Sequence, residues 1–135
     1  MANALYDLGR EKFLNGEIDW TDDDIKLLLV DTDDYTVNLV TDEFHAIIPI
    51  AAIVETSGNF ASKTTTLGVA DAADVILSTV SGDVSEAVVI YKDTGDSETS
   101  PLIAYIDSAT GLPVTPNSSD ITIEWADTSD KIFKL

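Results

Sequence analysis

The sequence predicts a mainly β protein: a single antiparallel β-sandwich or barrel-like domain with a short α-helix at its N-terminus. Three observations predict it. The second half of the chain carries the β-rich runs "DVILSTV" (74–80), "EAVVIYKD" (86–93), "LIAYID" (102–107), "ITIEW" (121–125) and "KIFKL" (131–135). Turn-forming stretches, "SGD", "TGDSETS", "SATGLPVTPNSSD" and "ADTSD", separate them. They recur at roughly 10 to 16 residues, the rhythm of an antiparallel sandwich or barrel. No segment of helical period intervenes, which argues against a parallel α/β sheet.

The only helical pattern opens the chain. Asn3 stands where an N-cap would, Gly16 where a C-terminal glycine would, and Ala4, Leu5, Leu8, Glu11, Lys12 and Leu14 between them are helix formers. Ala4, Leu5 and Leu8 cluster on one side and Tyr6 and Phe13 on another. The helix therefore either packs on the sheet with two aromatics half exposed, or serves both its own core and a neighbouring subunit.

From Trp20 onward the pattern is β. In "IKLLLV" (Ile25–Val30), Ile25, Leu27 and Leu29 share one face, and Lys26, Leu28 and Val30 the other. Both faces are mostly apolar, so this is a central strand covered on both sides. "YTVNLV" (35–40) fits a second strand or an extended loop. "HAIIPIAAIV" (45–54) is strongly apolar, but Pro49 forbids a clean central strand. The Thr-, Ser- and Gly-rich stretch that follows predicts short edge strands around Phe60 and 64–67.

With 135 residues, the chain has the size of one domain, and no internal repeat or linker divides it. The expected layout is a helical arm at 1–18 and a β domain at 19–135. Hydrophobic residues make up 44%, enough for a real core. Without cysteine there is no disulfide, thiolate zinc site or cysteine nucleophile. No apolar run approaches the roughly 20 residues that span a bilayer, and "MANALYDLGREKFLNGEIDW" lacks the basic-then-apolar order of a secretion signal. A formal charge of −18, from 25 acids and 7 bases, makes nucleic acid and anionic membrane poor partners. The bases Arg10, Lys12, Lys26, Lys63, Lys92, Lys131 and Lys134 build no basic face in sequence.

Catalytic patterns are sparse. His45 is the sole histidine, and no G-x-S-x-G elbow accompanies it. Neither a Walker A loop nor G-x-G-x-x-G is present. Trp20 and Trp125 fit core or interface positions better than a sugar platform, and the sequon at Asn117 matters only in a secreted eukaryotic protein. Two aspartate groups flank the central strand: Asp22, Asp23 and Asp24 before it, Asp31, Asp33 and Asp34 after it. "DTDDYTVNLVTDE" begins like a calcium loop, but the glycine and the final glutamate of an EF-hand are missing, and Asp42 stands at the last position. Strand rise holds the two groups roughly 20 Å apart, so they form no joint site within that strand. Solvated turns are the expectation, with a calcium site built from one group and a distant loop as the open alternative. No cofactor and no catalytic or metal-ligating residue is expected.

"MANALYD" with "REKFLNGEIDW", then "GVADAADV", "LIAYIDSATGLPVTPNSSDITIEW" and the final "KIFKL", resemble segments of small tailed-bacteriophage virion structural proteins. The resemblance spans essentially the whole chain and is most specific over 102–125. It implies a non-enzymatic structural protein made in the host cytoplasm and placed on the virion. Within the virion, the expectation is a capsid decoration (cement) protein on the outer surface of the head, bound to the major capsid protein as a homo-oligomer, by analogy a trimer. Leu5, Tyr6, Phe13 and Trp20 are the expected subunit contacts. The alternatives are a tail, neck or fibre component, or a carbohydrate-binding module.

Overall fold

A computed structural model of the chain describes residues 3–135. It is a small β-rich domain with antiparallel sheets and one short helix, as the sequence predicts. Strands β1 (Ala4–Leu5), β2 (Ile25–Val30), β3 (Ile53–Thr56), β6 (Ala87–Lys92) and β7 (Leu102–Ile106) form an open five-stranded sheet in the order β1-β7-β6-β2-β3. Two separate ribbons complete the β structure, β4 (Val69–Ala70) with β9 (Phe133–Lys134), and β5 (Val75–Leu77) with β8 (Ile121–Ile123).

β2 lies inside the sheet, paired with β6 along its whole length and with β3 on its other side. Its alternate residues divide between two cores. Ile25, Leu27 and Leu29 join Val88, Ile90 and Ile103 under a cover of Trp20, Phe60 and the apolar residues of the ribbons. Leu28 and Val30 join Val89, Tyr91 and Tyr105 under the long β2–β3 connection, which contributes Tyr35, Ile48 and Ala52. Within that connection 35–38 has no regular structure, 39–41 form a turn closed by the Asp42 N–H on Asn38 O, and Pro49 sits between two short 3-10 turns, His45–Ile47 and Ile50–Ala52.

β7 carries a bulge. Ile90 pairs with Ala104 and Tyr91 with Leu102, so Ile103 is the extra residue, and both Ile103 and Ala104 reach the first core.

The N-terminal residues depart from the expected arm. β1 pairs with β7, Ala4 opposite Tyr105 and Leu5 opposite Ala104, and so belongs to the main sheet. The helix, α1, runs Asp7–Leu14 behind an N-cap of Tyr6. Asn3 is not its cap. Its Oδ1 instead accepts from the N–H groups of Asp107 and Ser108, both at 3.0 Å, tying the chain start to the end of β7. Gly16 does end the helix, at φ +73°. Gly9 lets α1 ride on β7, because a Cβ there would stand 2.4 Å from the Leu102 carbonyl oxygen.

The edge strands expected near Phe60 and 64–67 are not formed. Phe60 donates its N–H to Ile25 O, Thr64 makes a single bridge to Asp71, and a 3-10 turn occupies Thr66–Gly68.

Candidate functional site

The four residues expected at a subunit interface have other neighbours. Tyr6 is 0%, Trp20 3% and Leu5 8% exposed, so these three are core side chains and present no surface. The reason is local: β1 brings Leu5 and Tyr6 onto the sheet, and the α1–β2 connection folds Trp20 over it. Phe13 is half-buried, its ring 5.9 Å from that of Phe133.

Trp20 sits in a run of edge-on and tilted aromatics, with Phe133 at 5.2 Å and Phe60 at 5.9 Å, and Phe60 in turn lies 5.6 Å from Trp125. Both indoles donate to backbone carbonyls, Trp20 Nε1 to Asp71 O and Trp125 Nε1 to Ala73 O, each at 3.1 Å. Both bonds tie the indoles to the stretch that follows β4.

The opposite face is organised by polar groups. The Tyr6 and Tyr35 hydroxyls lie 3.0 Å apart, and Tyr35 donates to buried Asp42 Oδ2 at 2.7 Å. The same oxygen accepts the Asn38 N–H at 2.9 Å. Burial pushes both tyrosines well above the ordinary phenol range, so they remain neutral donors. His45 stacks edge-on against Tyr91 at 4.8 Å. Burial lowers the imidazole pKa and raises that of Tyr91 to about 12. Close by, Lys26 Nζ meets Asp93 Oδ2 at 2.6 Å, and the Lys26 hydrogen bond holds the Asp93 carboxyl below its usual range.

The aspartate groups separate as strand geometry requires. Before β2 they build turns. Asp19 Oδ1 accepts from the Thr21 N–H and hydroxyl and from the Asp22 N–H, which lowers its pKa, the hydroxyl contributing most. Asp23 pairs with Lys92 at 3.1 Å, and Lys63 Nζ donates to Asp23 O. After β2, Asp31 and Asp34 are joined by Asp83, from the turn before β6, with one carboxylate oxygen of each within 4.8 Å of the others. That is the one-group-plus-distant-loop arrangement the sequence left open, and these are the residues able to hold a divalent cation. Asp31 Oδ1 is meanwhile engaged by the Asp33 N–H at 2.9 Å, a turn contact that needs no ion.

Two of the surface concavities lie beside α1 and beside the β2–β3 connection. One, of about 290 Å³, lies where the C-terminal end of α1 meets β4 and β9, with Phe13, Ile18, Trp20, Phe133 and Leu135 among its lining. The other, of about 380 Å³, combines Phe44 and Ile47 with Glu43 and Glu98. Lys12 already reaches Glu43 at 3.1 Å and lies over the Phe44 ring. The exposed apolar residues at and beside the first, Leu14, Leu67 and Leu135, were not singled out by the sequence. The signal available was leucine next to the turn glycine Gly68 and to the helix-ending Asn15-Gly16.

Compared with protein-family models and with curated proteins, the chain matches none. Among the described residues no helix is long and apolar enough to cross a membrane.

Proposed function

We propose that this chain is a non-enzymatic virion structural protein of a tailed bacteriophage, and that it decorates the outer surface of the head as a homo-oligomer bound to the major capsid protein. The observation that carries the reading is the resemblance of 102–125, supported by the segments at both ends of the chain. In the fold the 102–125 segment supplies β7, an inner strand of the main sheet, and β8 of a ribbon. A charge of −18 suits a solvent-facing position away from packaged DNA. Titratable groups that would interest an enzymologist have structural work: His45 packs on Tyr91, Asp42 anchors a loop, and Asp93 pairs with Lys26. Many weak contacts repeated over a symmetric shell give tight attachment by avidity.

A particle reconstruction tests the reading. Density for this chain on the head lattice, in numbers that scale with the shell, is the expected result. A single ring of copies at the neck or tail would move the protein to another part of the virion. Absence from the particle would end the proposal.

A further inference from the structure

The chain has five asparagines, and all but one have their side chains held. Asn3 Oδ1 accepts from the Asp107 and Ser108 N–H groups, and Asn38 Oδ1 from those of Val40 and Thr41. Asn59 Nδ2 donates to Asp24 Oδ1, and Asn117 Oδ1 accepts the Ser119 N–H, each at 3.1 Å. Asn15 is the exception. It is exposed at the end of α1, and its side chain makes no hydrogen bond among the described residues.

The following residue sets it apart again. Asn3, Asn38, Asn59 and Asn117 precede Ala4, Leu39, Phe60 and Ser118, each with a Cβ beside its peptide nitrogen. Asn15 precedes Gly16, and beyond the chain neighbours no atom lies within 4 Å of where a Cβ would stand there. The nitrogen of Gly16 is thus open on the side from which the Asn15 carboxamide carbon approaches it, and joining the two closes a five-membered ring.

The helix end restrains that closure. The ring needs Cβ, Cα and C of Asn15 and N of Gly16 close to one plane, and at ψ 0° they are far from it. The 15–16 peptide must first swing about the Asn15 Cα–C bond. Two hydrogen bonds resist the swing, Gly16 N–H to Phe13 O at 3.2 Å and Glu17 N–H to Lys12 O at 2.9 Å. Both close the last turn of a helix only eight residues long, where fraying costs least. Leu14, 87% exposed, adds no packing that would hold this turn down.

We propose that Asn15 is a site of spontaneous deamidation, reached by local opening of the C-terminal turn of α1. Gly16 N gives its proton to solvent and attacks Asn15 Cγ; the Cγ–Nδ2 bond breaks and ammonia leaves, forming a succinimide. Water then opens the ring. Cleavage at Cγ gives aspartate, and cleavage at the Asn15 carbonyl carbon gives isoaspartate, whose main chain runs through Cβ and Cγ. One water is consumed and one ammonia released, with no redox partner. Either product adds a negative charge where the helix dipole is already negative and where Glu11 stands one turn back. Isoaspartate also lengthens the connection that seats Ile18 and Trp20 in the core. None of this depends on the virion reading.

The experiment is incubation of the full chain in warm, mildly alkaline buffer, followed over time by peptide mapping with mass spectrometry and by enzymatic methylation of isoaspartate. Asn15 is expected to convert about tenfold or more faster than any other asparagine, and Gly16→Ala to slow it by about tenfold. Alanine also strains the turn at φ +73°, so Asn15→Gln, which keeps an amide at the helix end, is the second variant. Aged wild type should melt about 2–6 °C below fresh protein, while aged Asn15→Gln should melt as it did when fresh. In urea the wild-type conversion should accelerate, because the turn no longer resists the swing. Asn15 left intact while another asparagine converts, a Gly16→Ala variant that converts like wild type, no acceleration in urea, or an Asn15→Gln variant whose melting temperature falls as wild type's does would each overturn the proposal.

Discussion

The two faces of the main sheet are covered by different means. On one, the cover is apolar and aromatic: Trp20, Phe60 and the ribbon residues lie on Ile25, Leu27 and Leu29, and the few polar contacts are indole N–H groups meeting carbonyls. On the other, a long irregular connection is held by a buried chain of hydrogen bonds from Tyr6 through Tyr35 to Asp42. Burial of hydrocarbon is non-directional and tolerates slippage; a buried hydrogen-bonded chain is directional and holds one arrangement. The ribbons have their own strand pairing and need only be pressed down. The β2–β3 connection has little ladder of its own and needs fixed anchor points.

The largest effect comes from removing what serves both faces. Deleting residues 1–18 takes away β1, with Leu5 in one core, Tyr6 in the other, and the helix that rides on β7. The sequence alone predicts a β domain that survives this deletion. The structure predicts loss of the cooperative thermal transition, and a sharp melt in the truncated chain would restore the separate-arm picture.

Next is Trp20→Ala, which opens a cavity under the aromatic cover. It should cost about 3–5 kcal/mol by urea titration. A loss below about 1 kcal/mol would mean the ribbons hold without this ring.

On the polar face, Asp42→Ala leaves the Tyr35 hydroxyl and the Asn38 N–H without their acceptor. The expected cost is smaller, about 1–3 kcal/mol. Its distinguishing mark is local: amide exchange should quicken over 35–42 before it changes in β2 or β6. Uniform acceleration across the sheet would contradict the anchor role.

The smallest effect is a pH dependence at His45. Burial lowers its pKa in the folded state, so the unfolded chain binds the proton more readily. Stability from this residue is complete above the ordinary value of about 6.5 and declines as pH falls through it toward the folded value. Asp93, also lowered, adds a loss further into acid, below the usual carboxylate range. His45→Gln should flatten the dependence of melting temperature between neutral and mildly acid pH. An unchanged slope would assign that dependence to the carboxylates.

Much of the β framework was legible because its signals are local. Alternation across Ile25–Val30, with apolar residues on both faces, identified an inner strand, and it is one. Gly16 marked the helix end through its freedom to take positive φ. Pro49 correctly spoiled a strand. Asn3 misled because an N-cap signal is also a turn signal, and here its side chain meets backbone N–H groups about a hundred residues away. The expected interface residues misled for a related reason: an aromatic near a chain terminus has no sequence mark telling whether a distant strand will cover it. Asp83 escaped notice as a neighbour of Asp31 and Asp34 because only folding brings the turn before β6 to the end of β2.

By itself, then, the sequence determined the fold class, the strand runs of the second half, the two-sided burial of β2 and the separation of the two aspartate groups, because period, turn chemistry and strand rise act over a few residues. Only the tertiary structure decided that the N-terminal segment is an edge of the main sheet, that Leu5, Tyr6 and Trp20 are core, and that Leu67 stands exposed beside an apolar groove. Those outcomes depend on pairings across the length of the chain, whose free energy comes from surfaces that do not exist until the sheet has formed.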